Sequence, residues 1–169
     1  MRQPATNTDI RRDLVGLLPR IRRFAMTLAS DTLEADELVQ VACHRAVAKS
    51  HQWKGDGRLE IWLYTLIRQI FIEESRKRKM RHSPTGRGNV TDIREAARER
   101  AGSGETDALN QLVSAMPEGT ASLFLLVCVE GHTHKEAAEI MGVSPDSIAS
   151  RLASARLYFA AAAQHYSHG

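Results

Sequence analysis

Apolar residues recur at intervals of three and four along almost the whole of this 169-residue chain. That spacing places them on one face of an α-helix, and no segment of useful length shows the alternation of a strand. The apolar run 123–129 lies between helical patterns, so we predict that it is a buried helix. The sequence therefore predicts an all-α fold. The helices are expected at about 9–29, 33–50, 58–80, 105–116, 118–130, 133–141 and 145–163.

Residues 82–104 interrupt the helical pattern and divide the chain. They contain Pro84, four glycines and many charges but few large apolar side chains, a composition typical of a flexible linker. At roughly 3.3–3.6 Å per residue, about 23 residues can span up to roughly 80 Å. We expect two small helical domains, 1–81 and 105–169, each near the lower size limit for independent stability.

Positive charge is concentrated where the third predicted helix ends. The formal net charge of the chain is only +3, yet residues 76–81 read Arg-Lys-Arg-Lys-Met-Arg. Such a cluster suits a polyanion, although a solvated helix end explains the charge equally well. The preceding loop, 51–57, contains two glycines and an Asp and is predicted to be a turn.

A helix-turn-helix is the sharpest local feature of the sequence. Thr133 and Glu136 have the spacing of a capping box, and Gly142 can end the helix that they begin. Ser144 can then cap a second helix that has Pro145 in its first position. Two helices joined by so short a turn form a helix-turn-helix.

The second of these helices has two distinct faces. Its apolar face is formed by Ile148, Leu152, Ala155 and Phe159. Its polar face is formed by Ser147, Ser150, Arg151, Ser154 and Tyr158. Hydroxyls and a guanidinium suit phosphates and base edges in a major groove. A plain helical hairpin with a solvated face is the alternative, and the paired caps favour DNA binding.

Four segments in order resemble the extracytoplasmic-function sigma factors of the sigma-70 family. They are Asp-Glu-Leu-Val-Gln at 36–40, Trp-Leu-Tyr-Thr-Leu-Ile-Arg-Gln at 62–69, the basic helix end and the helix-turn-helix. The resemblance implies that 1–81 is sigma region 2, that 82–104 is a linker and that 105–169 is sigma region 4. It also implies a stress-responsive subunit that directs RNA polymerase to promoters and is controlled by an anti-sigma factor.

The resemblance implies a docking surface for the polymerase core on the second helix. In the family, this helix binds the clamp helices of the β′ subunit, and region 4 binds the β flap. An acidic first turn, favoured by the helix dipole, explains the acids alone but not their context. The residues implied for polymerase binding are Asp36, Glu37, Val39, Gln40 and Arg45.

The resemblance also implies that the loop 51–58 and the helix after it melt and read the −10 element. Aromatic and amide groups can stack on and bond to unstacked bases, and cations can neutralise phosphates. For Trp62, core packing is as good an explanation as a DNA contact. The residues implied for this part are Trp53, Lys54, Arg58, Arg68 and Gln69, followed by Arg76, Lys77, Arg78 and Lys79 along the backbone.

The −35 element would be read by the last predicted helix, where the sequence departs from the family. Members commonly carry basic residues where this chain has Ala149 and Ser154. The missing charges weaken the expected grip on phosphates. The residues implied for −35 reading are Ser147, Ser150, Arg151, Ser154 and Arg156.

Three alternatives compete with a promoter-reading sigma factor. A sigma-mimicking module would titrate an anti-sigma factor without reading promoters, and a dimeric repressor would leave the N-terminal half unexplained. An enzyme is disfavoured, because the seven histidines are scattered and no nucleophile is near a base. We therefore expect no catalytic site, no metal and no cofactor.

The sequence favours a cytoplasmic protein. Cys43 and Cys128 are predicted to be small buried residues in a reducing compartment. The N-terminal residues lack the apolar stretch of a signal peptide. No apolar run approaches the roughly 20 residues that cross a bilayer, so membrane insertion is not expected.

Overall fold

The computed structural model describes residues 7–53, 58–81 and 116–166, with side chains described between 10 and 164 of those ranges. Every regular element in these residues is helical and none is a strand, which confirms the all-α prediction. The chain forms two compact units, one built by the described residues up to 81 and the other by those from 116 onward.

Three long helices build the first unit. Asp31 caps the second of them, because its carboxylate accepts a hydrogen bond from the backbone N–H of Glu34 at 2.8 Å. The turn predicted over 51–57 includes part of a single 3₁₀ turn, whereas 54–57 lie outside the described residues. The elements are α1 (Asn7–Leu28), α2 (Thr32–Ala48), the 3₁₀ turn (Ser50–Gln52) and α3 (Leu59–Arg81).

An aromatic pair joins α1 to α3 at the centre of the first unit. Phe24 and Tyr64 are both fully buried, and their ring centroids are 4.9 Å apart. Leu59, Leu63, Leu66 and Ile70 follow one another at intervals of four, three and four, and all are buried, so they form the inner stripe of α3. Of the charged residues of α2 and α3, only Glu34 is buried.

The second unit consists of shorter helices. The helix predicted over 118–130 begins two residues late, because Gly119 has a left-handed φ of +81° and Pro117 precedes it. Its second half widens into a π-helical segment, in which the N–H of Glu130 donates to the carbonyl of Leu125 at 2.9 Å. The elements are α4 (Thr120–Phe124), the π segment (Leu125–Val129), α5 (His134–Met141) and α6 (Pro145–Tyr166).

The core of the second unit lies between α4, the π segment, α5 and α6. Phe124 of α4 and Phe159 of α6 stack with centroids 4.5 Å apart. The fully buried side chains here include Leu123, Leu126, Ile140 and Ile148. This arrangement fixes which side of α6 faces solvent.

The two cysteines differ from their prediction. Cys128 is exposed, because two residues of helix place it on nearly the opposite side from the buried Leu126. Cys43 is half-buried, and burial raises the pKa of its thiol. Lys54, the linker 82–104 and the helix expected over 105–116, apart from the buried Met116, lie outside the described residues.

Candidate nucleic-acid interface

The exposed face of α2 presents part of the predicted polymerase-binding set. Asp36, Glu37 and Gln40 are exposed, whereas Val39 and Arg45 are half-buried. The opposite side of the helix is buried and consists of Ala35, Leu38, Ala42 and Ala46. The three exposed polar side chains therefore share one surface that is open to a partner.

Asp36 and Arg45, at the two ends of the predicted polymerase-binding set, form ion pairs with different helices. The carboxylate of Asp36 accepts from Nε of Arg22 in α1 at 2.7 Å, and this bond raises the pKa of the Arg22 guanidinium. Nη1 of Arg45 instead donates to Glu73 in α3 at 2.8 Å. Asp36 thus lies at the α1 edge of the helix and Arg45 at the α3 edge.

The predicted −10 readers surround the start and middle of α3. Trp53 follows the 3₁₀ turn and is half-buried. Arg58 is exposed, and its Nε lies 3.1 Å from Glu60. Farther along α3, Gln69 is exposed and Arg68 is half-buried. These four side chains remain accessible at least in part.

Trp62 is half-buried, which fits neither a fully buried core residue nor a fully exposed stacking platform. Its neighbours Leu63 and Tyr64 form the core instead. The Trp62 side chain is therefore partly packed against the unit and partly accessible.

The basic end of α3 divides into two groups of cations. Nζ of Lys77 lies 3.1 Å from Glu74, and Nη2 of Arg78 lies 2.6 Å from Oε1 of Glu34. The remaining cations form no ion pair with any residue in the described ranges; they are Arg76, Lys79 and Arg81. All five side chains are exposed, so the helix end is a positive surface with unequal members.

Glu34, which was not among the predicted site residues, is a buried carboxylate at the start of α2. Its Oε2 accepts hydrogen bonds from the backbone N–H and the hydroxyl of Ser30, each at 2.7 Å. Burial opposes ionisation, but the bonds from Ser30 and Arg78 outweigh it and lower the pKa of Glu34. The spacing from Asp31 signals a capping carboxylate, whereas the partner in α3 leaves no local signal in the sequence.

The capping of α5, the first helix of the helix-turn-helix, is confirmed. The N–H of Glu136 donates to the Thr133 hydroxyl at 3.1 Å, and the Glu136 carboxylate accepts from the N–H of Thr133 at 2.9 Å. Gly142 ends α5 with a left-handed φ of +62°, and Pro145 is the first residue of α6. The two helices and their short turn are thus locally specified.

The solvent-facing centre of α6 lies to one side of the predicted polar face. Ser150 is exposed, but Ser147, Arg151 and Ser154 are half-buried. The exposed residues of α6 include three that were not among the predicted site residues, Asp146, Ala153 and Leu157, of which Leu157 is 72% exposed. The centre of this face therefore carries no cation.

The two arginines of α6 lie on different sides of the helix, because five residues at about 100° each place them about 140° apart around the axis. Arg156 is exposed. Arg151 lies beside the Gly119 turn, where a Cβ on the glycine would be 3.7 Å from its Nη1.

The serine hydroxyls of α6 donate to the helix backbone. Ser147 donates to the carbonyl of Ser144 at 2.8 Å, Ser150 to that of Ser147 at 3.0 Å, and Ser154 to that of Ser150 at 3.2 Å. A hydroxyl used in this way keeps its lone pairs as acceptors. In this conformation, the serines suit donor groups on base edges better than phosphate oxygens.

Neither a metal site nor a membrane span is found in the described ranges. No group of three His, Cys, Asp or Glu side chains there could hold a metal ion, and no helix there is long and apolar enough to cross a bilayer. His132 is buried, with Nδ1 3.4 Å from Oε2 of Glu136. It thus lies against the capping box of α5.

Two family models match the chain, one in each unit. The model for Sigma-70 region 2 matches residues 15–81, which include all of α2 and α3. The model for Sigma-70, region 4, matches residues 106–158, which include the helix-turn-helix.

Individual proteins match over most of their length. The chain is 28% identical over 153 residues to the ECF RNA polymerase sigma factor EcfG of Rhodopseudomonas palustris (strain TIE-1), covering 90% of this chain and 83% of that protein. It is similar in fold to the sigma factor RpoE from Bartonella quintana, solved in complex with the anti-sigma factor NepR, with a TM-score of 0.74, 24% identity and coverage of 92% and 97%. It is also similar in fold to CnrH, solved with the cytosolic domain of CnrY, with a TM-score of 0.64, 17% identity and coverage of 94% and 92%.

Proposed function

This chain belongs to the sigma-70 family of RNA polymerase sigma factors, in its extracytoplasmic-function group, and on that premise we propose that it directs core polymerase to specific promoters. The observation that carries the proposal is the presence of regions 2 and 4 in one chain, each with an accessible polar surface. A regulatory subunit of this kind acts through the polymerase and has no catalytic site of its own.

The polymerase would dock on the exposed face of α2. Asp36, Glu37 and Gln40 present two carboxylates and an amide, which suit a basic and polar partner surface such as the β′ clamp helices. Val39 and Arg45 would contribute from the edges of this face. Region 4 would bind the β flap.

Promoter contacts would be divided between two domains, 1–81 and 105–169, joined by the linker 82–104. In the first, Trp53, Lys54, Arg58, Arg68 and Gln69 would bind the melted −10 strand, while the cations at the end of α3 follow its phosphates.

In the second domain, α6 would read the −35 element, and its electrostatic attraction to the DNA phosphates would be weak. Its exposed centre lacks cations, so Arg151 and Arg156 would hold the backbone from either side. The serines would accept hydrogen bonds from base amino groups. This arrangement favours base reading over phosphate affinity.

We also expect control by an anti-sigma factor in a cytoplasmic stress response. The support is the likeness of the fold to RpoE, which was solved with an anti-sigma factor. Such a partner would keep the chain off the polymerase until a signal releases it.

The test is transcription by purified core polymerase on genomic fragments, with Glu37→Lys as the probe and Glu139→Lys as its matched control. Both glutamates are exposed, but Glu139 lies on α5 and is not among the residues proposed for docking. We expect Glu37→Lys to weaken core binding about tenfold or more, because it reverses a charge within an interface. Glu139→Lys should bind core like the unchanged chain. If the chain binds only an anti-sigma protein and supports no defined start, a sigma-mimicking module is the correct reading.

A further inference from the structure

We propose that Glu34 is a positioning residue for promoter opening. Its carboxylate joins the end of α3, the helix proposed to bind the −10 element, to the first turn of α2, the helix proposed to bind the polymerase. The inference rests on the proposed function, because it assigns docking to α2 and −10 reading to α3. It adds a role for a residue that would contact neither the polymerase nor the DNA. It also separates Arg78 from the other cations of its cluster.

The two oxygens of Glu34 hold two different parts of the first unit. Oε2 accepts both bonds from Ser30, just before α2, while Oε1 lies 2.6 Å from Nη2 of Arg78 near the end of α3. The Glu34 side chain is only 10% exposed, whereas that of Arg78 is 52% exposed. The carboxylate is therefore a fixed anchor, and the guanidinium reaches down to it from the surface.

Burial of the carboxylate makes the ion pair between Glu34 and Arg78 harder to break than an exposed ion pair. An ionised carboxylate out of water needs a partner, and removing that partner leaves the charge uncompensated. The parallel pair of Arg45 with Glu73 also joins α2 to α3, but Glu73 is 48% exposed and water can replace its partner. Glu34 and Arg78 should thus remain paired when DNA arrives.

The pairing changes what each cation at the end of α3 can do. A phosphate that bound Arg78 would have to draw it from Glu34 and strand the carboxylate. Arg76 and Lys79 form no ion pair with any residue in the described part of the chain, so they can bind phosphates at no such cost. Arg78 therefore fixes the position of this end of α3, while Arg76 and Lys79 bind the phosphates of the DNA strand.

The tie itself is tested by amide hydrogen exchange in the full-length chain. Glu34→Gln keeps the side-chain volume and an oxygen for Ser30 but removes the anion that faces Arg78. We expect exchange of the amides at 76–80 to rise about tenfold in Glu34→Gln and in Arg78→Gln. Lys79→Gln, the matched control one residue away, should leave it unchanged. Unchanged exchange in both test variants would overturn the proposal.

The functional role is tested by open-complex formation with core polymerase. Glu34→Gln, Arg78→Gln and the double variant should each slow opening about tenfold, with no further loss in the double, because all three break one interaction. Half-saturation of core should stay within roughly twofold, because the docking face is untouched. Arg78→Lys should restore most of the rate, since it keeps a cation beside Glu34.

A different set of results is expected if Arg78 simply binds a DNA phosphate. Arg78→Gln would then lower the slope of affinity against salt by about one, as Lys79→Gln should, and Glu34→Gln would bind DNA more tightly. That pattern would overturn the positioning role while leaving the sigma-factor function intact. If the unchanged chain opened no promoter, the proposed function and this role would fail together.

Discussion

Phe24→Ala should strongly destabilise the first unit and leave the stability of the second unchanged. Phe24 is fully buried in α1, against the ring of Tyr64 in α3. Removing a buried Phe side chain costs about 3–5 kcal/mol. A unit of about 75 residues has a stability of about 4–11 kcal/mol at about 0.05–0.15 kcal/mol per residue. The substitution thus removes from about a quarter to the whole of the stability of that unit.

The assay is urea unfolding of the full-length chain, followed by backbone amide resonances from both units. We expect the transition of the first unit to move to much lower urea, and that of the second to stay in place. Val15→Ala is the control, because Val15 lies on the same helix but is 67% exposed, so its loss should cost less than about 0.5 kcal/mol. Equal shifts of both transitions in Phe24→Ala would refute the assignment of a separate core to each unit.

Three further predictions concern caps and titration. Thr133→Ala should destabilise the second unit by about 1 kcal/mol in thermal or urea unfolding, because the N–H of Glu136 loses its acceptor, and Thr133→Ser should restore it. Gly142→Ala should cost about 1–2 kcal/mol in the same assay, because its φ of +62° is left-handed, and an unchanged midpoint would contradict this. The pKa of Glu34 is lowered from 4.5, so the ionised carboxylate stabilises the folded first unit above that pH. This stabilisation is lost as the pH falls through the pKa of the folded state. Acid titration of stability should therefore be flatter in Glu34→Gln, and parallel curves would contradict the role of this carboxylate.

The parts of the fold that depend on local sequence were predictable. Thr133, Glu136 and Gly142 define the start and end of α5 through bonds that span only a few residues. The inner stripe of α3 follows from helical periodicity, since burial of one face is the main constraint on its side chains. The helix-turn-helix and the three long helices of the first unit could therefore be placed from sequence.

The parts that depend on packing between helices were not predictable. The bond from Arg78 to Glu34 joins residues far apart in sequence, so the basic cluster looked uniform before the fold was known. The exposed centre of α6 depends on which side Phe159 stacks against Phe124, and periodicity alone does not fix the limits of a polar face. Cys128 is exposed because it lies opposite the buried Leu126, and the run of apolar residues at 123–129 does not indicate which side of the helix packs against the core.

The central claim is that this chain makes core polymerase start at defined promoters. The most direct measurement maps the 5′ ends of transcripts that purified core produces from genomic fragments, with and without the full-length chain. We expect a small set of new start sites, each preceded by shared sequences near −35 and −10. A distribution of 5′ ends identical to that of core alone would contradict it.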